Sequence, residues 1–261
     1  MTTFWLSLLL GLLAGLADYL GGFILVLRSP SARALRYFVA LGSGFMLGAA
    51  LLEMVPEGMA INHRYGALLI LAGYCAVHFL EHTLVPHFHF GEETHGPGPD
   101  AHGHSHEPSH AHGHTHAHIS AKTSYSVLFG LATHTFFDGV AIGSGFALSS
   151  WLGWILFFAV FLHKIPEGFT VASVMMAGGR GRRAALNSAL FLGATTVAGV
   201  LVISLLPSLV REGLPLSAGV TLYVAATDLV PEVNREPGIR MALIFFLGVL
   251  VFFLLRQLAP S

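Results

Sequence analysis

Apolar residues fill this chain in long runs, and only short clusters of Arg, Pro, Gly and acidic residues separate one run from the next. A helix needs about 20 apolar residues to cross a bilayer. Eight runs meet that length, at 4–27, 36–57, 65–86, 123–148, 151–177, 184–206, 214–231 and 239–258. The pattern predicts an all-α integral membrane protein with eight transmembrane helices. The first run is expected to be a true helix rather than a signal peptide: no Lys or Arg precedes it, it is too long, and no small-x-small cleavage site follows.

One segment breaks the pattern. Residues 87–122 open with "HFHFGEETHGPGPDAHGHSHEPSHAHGHTHAH" and hold 11 of the 16 histidines among Gly, Pro, Ser and acidic residues. The chain thus divides into 1–86 with three helices, a polar loop at 87–122, a helix pair at 123–177 and three more helices at 184–261. So polar and broken a loop is expected to be disordered. Its imidazoles, among them His102, His104, His106, His110, His112, His114, His116 and His118, suit capture of zinc, copper, nickel or iron(II) in many weak, interchangeable sets. A solvated low-complexity linker is the alternative. "HEPSH" at 106–110 matches the H-E-x-x-H of zinc proteases, but that pattern works only on a helix, and Pro108 falls between the two histidines.

Composition agrees with a bilayer. The chain is 54% hydrophobic and 10% charged, with a mean hydropathy of +0.70, outside the range of soluble domains. A net charge of −1 says little, and Cys75, the single cysteine, excludes an intrachain disulfide. Short loops rich in Lys and Arg stay cytoplasmic. One set of alternate loops carries nine cations, Arg28, Arg33, Arg36, Lys122, Arg180, Arg182, Arg183, Arg235 and Arg240, against Arg64, Arg211 and Arg256 in the other. This places the His-rich loop in the cytoplasm and both termini outside, in a plasma or inner membrane.

Ionisable residues inside a membrane span are costly and usually mark an ion or substrate path. Here they are Asp18, Glu53, Glu57, His78, Glu81, His82, His134, Asp138, His163, Lys164, Glu167, Asp228 and Glu232. "HTFFDG" puts His134 four residues before Asp138, and "HKIPEG" puts His163 four before Glu167, so each pair shares one helix face. At 1.5 Å per residue, both histidines lie roughly 16–18 Å deep, near the midplane. Two imidazoles and two carboxylates meeting there form a four-ligand set for a divalent transition metal. A buried packing network is the plainer alternative.

Pro166 is expected to kink its helix and free a carbonyl toward a cavity, while Gly139 and Gly168 permit close helix approach. Lys164 would repel a metal beside it. Its ammonium is therefore placed on a carboxylate edge turned away from the metal, toward Glu167 or Asp138, where it fills the position of a second ion.

The proline–glutamate pattern returns in "EMVPEG" at 53–58 and "DLVPEV" at 228–233. Glu53 and Glu57 would line an outer mouth and Asp228 and Glu232 an inner one. For Glu57 and Glu232, helix-end caps or surface charges are equally open. Similar segments in opposed orientation predict inverted repeats, with helices one to three mirrored by six to eight around a central pair, a 3+2+3 arrangement.

Eight spans, a His-rich loop after the third, "HTFFDG" in the fourth, "HKIPEG" in the fifth and "LYVAATDLVPE" in the seventh together resemble the ZIP family of zinc and iron transporters, most nearly its ZIP9-like branch. The likeness covers essentially the whole chain. It implies divalent-metal uptake into the cytoplasm by alternating access, with one helix group moving against another, commonly in a homodimer. The family's transport site falls on His134, Asp138, His163 and Glu167. Where many members carry ligands to a second metal, this chain has Thr135 and Lys164, and the sixth run holds no acidic residue; a single-metal site follows. Zn2+ is the expected substrate, with Fe2+, Mn2+ and Cd2+ served by the same donors.

The expected partners are the metal ion and the lipid bilayer, with neither nucleic acid nor ATP, since no nucleotide-binding loop occurs. A metal receptor without flux would bind saturably and move nothing. A cation-efflux carrier would have fewer spans and usually a soluble C-terminal domain, whereas this chain ends three residues after the last run. An embedded metallohydrolase would need a helical H-E-x-x-H or an equivalent base, so no enzymatic activity is expected.

Overall fold

Lipid offers no partner for a backbone N–H or C=O, so a run that enters it must close its own hydrogen bonds as a helix. The structure, a computed structural model, describes residues 2–27, 32–84, 121–234 and 238–258. Eight helical spans long and apolar enough to cross a membrane occupy Thr3–Leu27, Leu35–Ile61, Gly66–Thr83, Thr123–Leu148, Ser150–Ala177, Arg182–Leu205, Pro207–Asn234 and Ile239–Gln257. Among the described residues there is no strand. The His-rich stretch 87–118, with all its candidate capture histidines, lies outside the described residues.

Six spans are single helices: α1 (Thr2–Leu27), α4 (Gly66–Leu84), α5 (Ala121–Leu148), α6 (Ser150–Ala177), α7 (Arg182–Leu205) and α10 (Ile239–Gln257). The second and seventh are composite. In the second, α2 (Ala32–Ala49) passes through a π-helical segment, Ala50–Met54, into α3 (Val55–Ile61). In the seventh, a 3₁₀ turn at Pro207–Leu209 leads into α8 (Val210–Tyr223), a π-helical segment at Val224–Leu229 and α9 (Val230–Asn234). Each π segment lies just before a Val-Pro-Glu, at Pro56 and at Pro231. A proline has no N–H for the carbonyl four residues back and its ring crowds that carbonyl; widening the preceding turn relieves the clash.

These prolines also explain where the spans outrun their expected ends. Pro56, accommodated by the π segment, lets α3 carry on beyond it, and Pro207 starts the 3₁₀ turn, where a missing N–H is no loss. The second span therefore continues to Ile61 and the seventh begins at Pro207.

The third and eighth spans are the least buried, and the fourth and fifth the most, so α5 and α6 form the centre. Trp5, Leu68, Phe79, Leu205, Ile239 and Phe246 are exposed, as residues facing lipid would be. Around the centre, close packing joins α1 to α6 and to α7, α5 to α7, α2 to α10 and α4 to α8; four of these contacts, α1 with α6, α5 with α7, α2 with α10 and α4 with α8, share one pattern. In each pair a glycine of one helix lies on a backbone carbonyl of the other, and the favour is returned. Gly168 meets Asp18 and Gly21 meets Ile165; Gly139 meets Thr196 and Gly199 meets Phe136; Gly44 meets Phe245 and Gly248 meets Leu41; Gly73 meets Leu216 and Gly219 meets Ile70. At all eight positions a Cβ would collide with backbone. Exchanging spans one to three with six to eight, and α5 with α6, maps these pairs onto one another.

Pro166 does not end its helix. α6 runs unbroken from Ser150 to Ala177 with Pro166 inside it. The Leu162 carbonyl, deprived of its partner by Pro166, lies beside Gly42 of α2, where a Cβ would stand 3.2 Å away. Close packing covers that carbonyl, where the sequence suggested a cavity.

Candidate metal centre

The four-residue spacing on α5 puts His134 and Asp138 on one face, and the same spacing on α6 does so for His163 and Glu167. α5 packs on α6, and the two faces meet: one ligand atom from each of the four residues lies within 4.8 Å of the other three. All four are buried at 1–3% exposure. His134 Nε2 is 3.1 Å from Glu167 Oε1, and His163 Nε2 is 3.2 Å from Asp138 Oδ2 and 3.8 Å from Glu167 Oε2.

Neighbouring groups fix the donors. His163 Nδ1 lies 3.0 Å from the Ala159 carbonyl; a carbonyl can only accept, so Nδ1 carries a proton and Nε2 is the nitrogen turned toward the carboxylates. At 3.2 Å from Asp138 Oδ2 it is within hydrogen-bond range, and in the neutral ring it is the nitrogen whose lone pair a metal would use. The Thr135 hydroxyl, fully buried, donates to Glu167 Oε1 and so orients the carboxylate.

Lys164 is fully buried beside this cluster. Its Nζ is 2.5 Å from Glu167 Oε2 and 2.8 Å from Asp138 Oδ2. A third anion is Asp18 of α1, 3.8 Å from the same nitrogen. The sequence reading counted Asp18 among the intramembrane ionisable residues and gave it no part. The available signal was charge balance, because a buried lysine needs an anion of its own once Asp138 and Glu167 are assigned to a metal. With all three carboxylates ionised and both imidazoles neutral, one ammonium would leave two negative charges in excess, the charge of one divalent cation.

The flanking carboxylates lie outside the four-residue cluster. Glu53, in the first π segment, pairs with Arg256 at 2.9 Å. Asp228, in the second, accepts from Thr227 at 3.2 Å and lies within electrostatic reach of Glu81 and His134. Glu81 in turn accepts from the Tyr223 hydroxyl at 2.9 Å. Glu57 and Glu232 are half-buried, at the ends of their spans. Met46, Met54, Ala141, Leu156 and Thr221 line a small apolar cavity that reaches His163.

A helical bundle of eight spans around a buried, two-imidazole, two-carboxylate cluster defines an integral membrane protein able to hold a metal ion at its centre. A family model described as "ZIP Zinc transporter" matches residues 2–256; the chain belongs to that family. It is similar to zinc transporter ZIP4 of Homo sapiens, with 32% identity over 127 residues, 47% of this chain and 20% of that protein. Zinc transporter SLC39A7 of Homo sapiens is 28% identical over 133 residues, 45% of this chain and 27% of that protein. Zinc transporter zipt-7.1 of Caenorhabditis briggsae is 28% identical over 106 residues, 38% and 27%. The chain thus aligns with about a fifth to a quarter of each relative's length.

Proposed function

We propose that this protein carries zinc across the membrane into the cytoplasm by alternating access, binding one ion at a time on His134, Asp138, His163 and Glu167. The observation that carries this reading is the convergence of one ligand atom each from His134, Asp138, His163 and Glu167 within 4.8 Å in a buried site. Two imidazole nitrogens and two carboxylate oxygens are a tetrahedral zinc set, with bonds of about 2.0–2.2 Å. The names of the relatives favour zinc over iron(II), manganese or cadmium, which such donors also accept.

Packing supports a moving part. α1, α5, α6 and α7 touch one another through reciprocal glycine contacts, and so, in pairs, do α2 with α10 and α4 with α8. The metal cluster lies wholly within the first group. Between the groups the contacts are largely apolar side chains, such as Phe45, Met54, Leu156 and Leu214, which can slide where interlocked backbones cannot. The exchange of pairs described above supports an inverted 3+2+3 repeat. Glu53 and the cavity under Met54 suit an outer approach to His163, and Asp228 with Glu81 an inner exit. Lys164, beside Asp138 and Glu167, stands where a second metal would otherwise bind. The arginine distribution supports cytoplasmic exposure of the 87–122 loop and a plasma or inner membrane, and the family likeness supports a homodimer.

The test is uptake of radioactive zinc into proteoliposomes, comparing the intact protein with His163→Ala at matched reconstitution. Saturable uptake that collapses in the variant is expected. Zinc binding by a folded protein that moves no ion would identify a receptor instead.

A further inference from the structure

Asp18 is fully buried on α1, and both of its carboxylate oxygens lack a hydrogen-bond partner. A buried carboxylate left without hydrogen bonds is costly and requires a reason. Its nearest cation is Lys164, whose Nζ stands 3.8 Å from Oδ2, too far for a charge-assisted hydrogen bond of about 2.7–2.9 Å. The lysine instead occupies Asp138 Oδ2 and Glu167 Oε2. Those are the oxygens nearest His163 Nε2, so a metal held there together with His163 competes with the ammonium for them.

We propose that Asp18 is the receiving anion for Lys164: when a divalent metal binds Asp138 and Glu167, the ammonium leaves them and docks on Asp18. The proposal rests on the transport site described above. The move is short, about 1 Å of Nζ displacement to reach hydrogen-bond range. The lysine side chain makes it and the helices do not, because α1 is held on α6 by the backbone contacts of Gly168 with Asp18 and Gly21 with Ile165. The charges also close: a divalent ion neutralises Asp138 and Glu167 while Asp18 neutralises Lys164. Asp18 is thus a positioning residue. It never touches the metal, and it keeps Lys164 from competing with it.

The experiment measures zinc binding to the purified, detergent-solubilised full-length protein by isothermal titration calorimetry, with zinc chloride as the probe. In Asp18→Asn the ammonium has nowhere to go, and zinc affinity should fall at least about tenfold. Removing both charges together, in Asp18→Asn with Lys164→Met, should restore affinity to within about threefold of the native value. A purely structural role would give Asp18→Asn native affinity per folded molecule, and that result would overturn the proposal. If Asp18→Asn yields no folded protein, the double variant decides: near-native affinity supports the relay, and a loss of tenfold or more shows that Asp18 acts in some other way. A native protein that binds no zinc sinks the transport reading and this inference together; a native protein that binds while the double variant does not sinks the relay alone.

Discussion

The backbone carbonyl of Asp18 on α1 lies against Gly168 on α6, one residue beyond Glu167, so closely that no side chain fits between the helices. The same contact positions the anion that faces Lys164. Packing and site chemistry therefore share one point of the fold. Replacing Gly168 by Val forces α1 from α6 and should cost roughly 1–3 kcal/mol, read as a lower thermal midpoint in detergent. Gly181→Ala serves as the control, since nothing lies within 4 Å of a Cβ at that position. Equal midpoints for the two variants would contradict the packing argument.

Thr135 touches the site only through Glu167 Oε1, to which its hydroxyl donates. Loss of such an orienting partner typically weakens a metal site about 10- to 100-fold. Thr135→Val should show that loss in zinc titrations, and Thr135→Ser, which keeps the hydroxyl, should stay near native. If both bind alike, the hydroxyl plays no part.

The proposed role of Lys164 is to stand where a second cation would sit. Exchanging it for a ligand in Lys164→Asp should raise the zinc content at saturation from one ion per protomer toward two, measured by elemental analysis on protein of known concentration. An unchanged count would dismiss the placeholder role.

None of the four clustered residues comes from the His-rich segment. Deleting residues 95–118 should leave saturable zinc uptake in place while changing its apparent affinity or regulation, as followed in proteoliposomes. Complete loss of uptake in a deletion that folds normally would make the segment part of the transport machinery.

Much of this was legible in the order of residues. Lipid imposes a minimum run length and forbids unpaired backbone, so eight spans could be marked with most boundaries close to the final ones. The helical repeat alone set His134 with Asp138 and His163 with Glu167 on shared faces, because four residues make about one turn. Counting residues from each end put the two pairs at one depth, and the structure places their ligand atoms together.

Other features belong to contacts between helices, which no local pattern encodes. The sequence could show that Pro166, Pro56 and Pro231 each lacked a donor, but only packing decided the response. Pro166 sits within a continuous helix, its freed carbonyl packed beside Gly42 of α2, whereas Pro56 and Pro231 follow turns widened to π geometry. Asp18 is the clearest case. It lies 146 positions before Lys164 in the chain, and nothing in its neighbourhood "GLADYLGG" indicates a partner. The partner is set by the crossing of α1 on α6, where two glycines let the backbones touch and bring a carboxylate to 3.8 Å from the ammonium. Hydropathy and helical period, being properties of short stretches, were determined by the sequence itself; which buried charges face one another depends on distances between segments, and only the tertiary structure sets those.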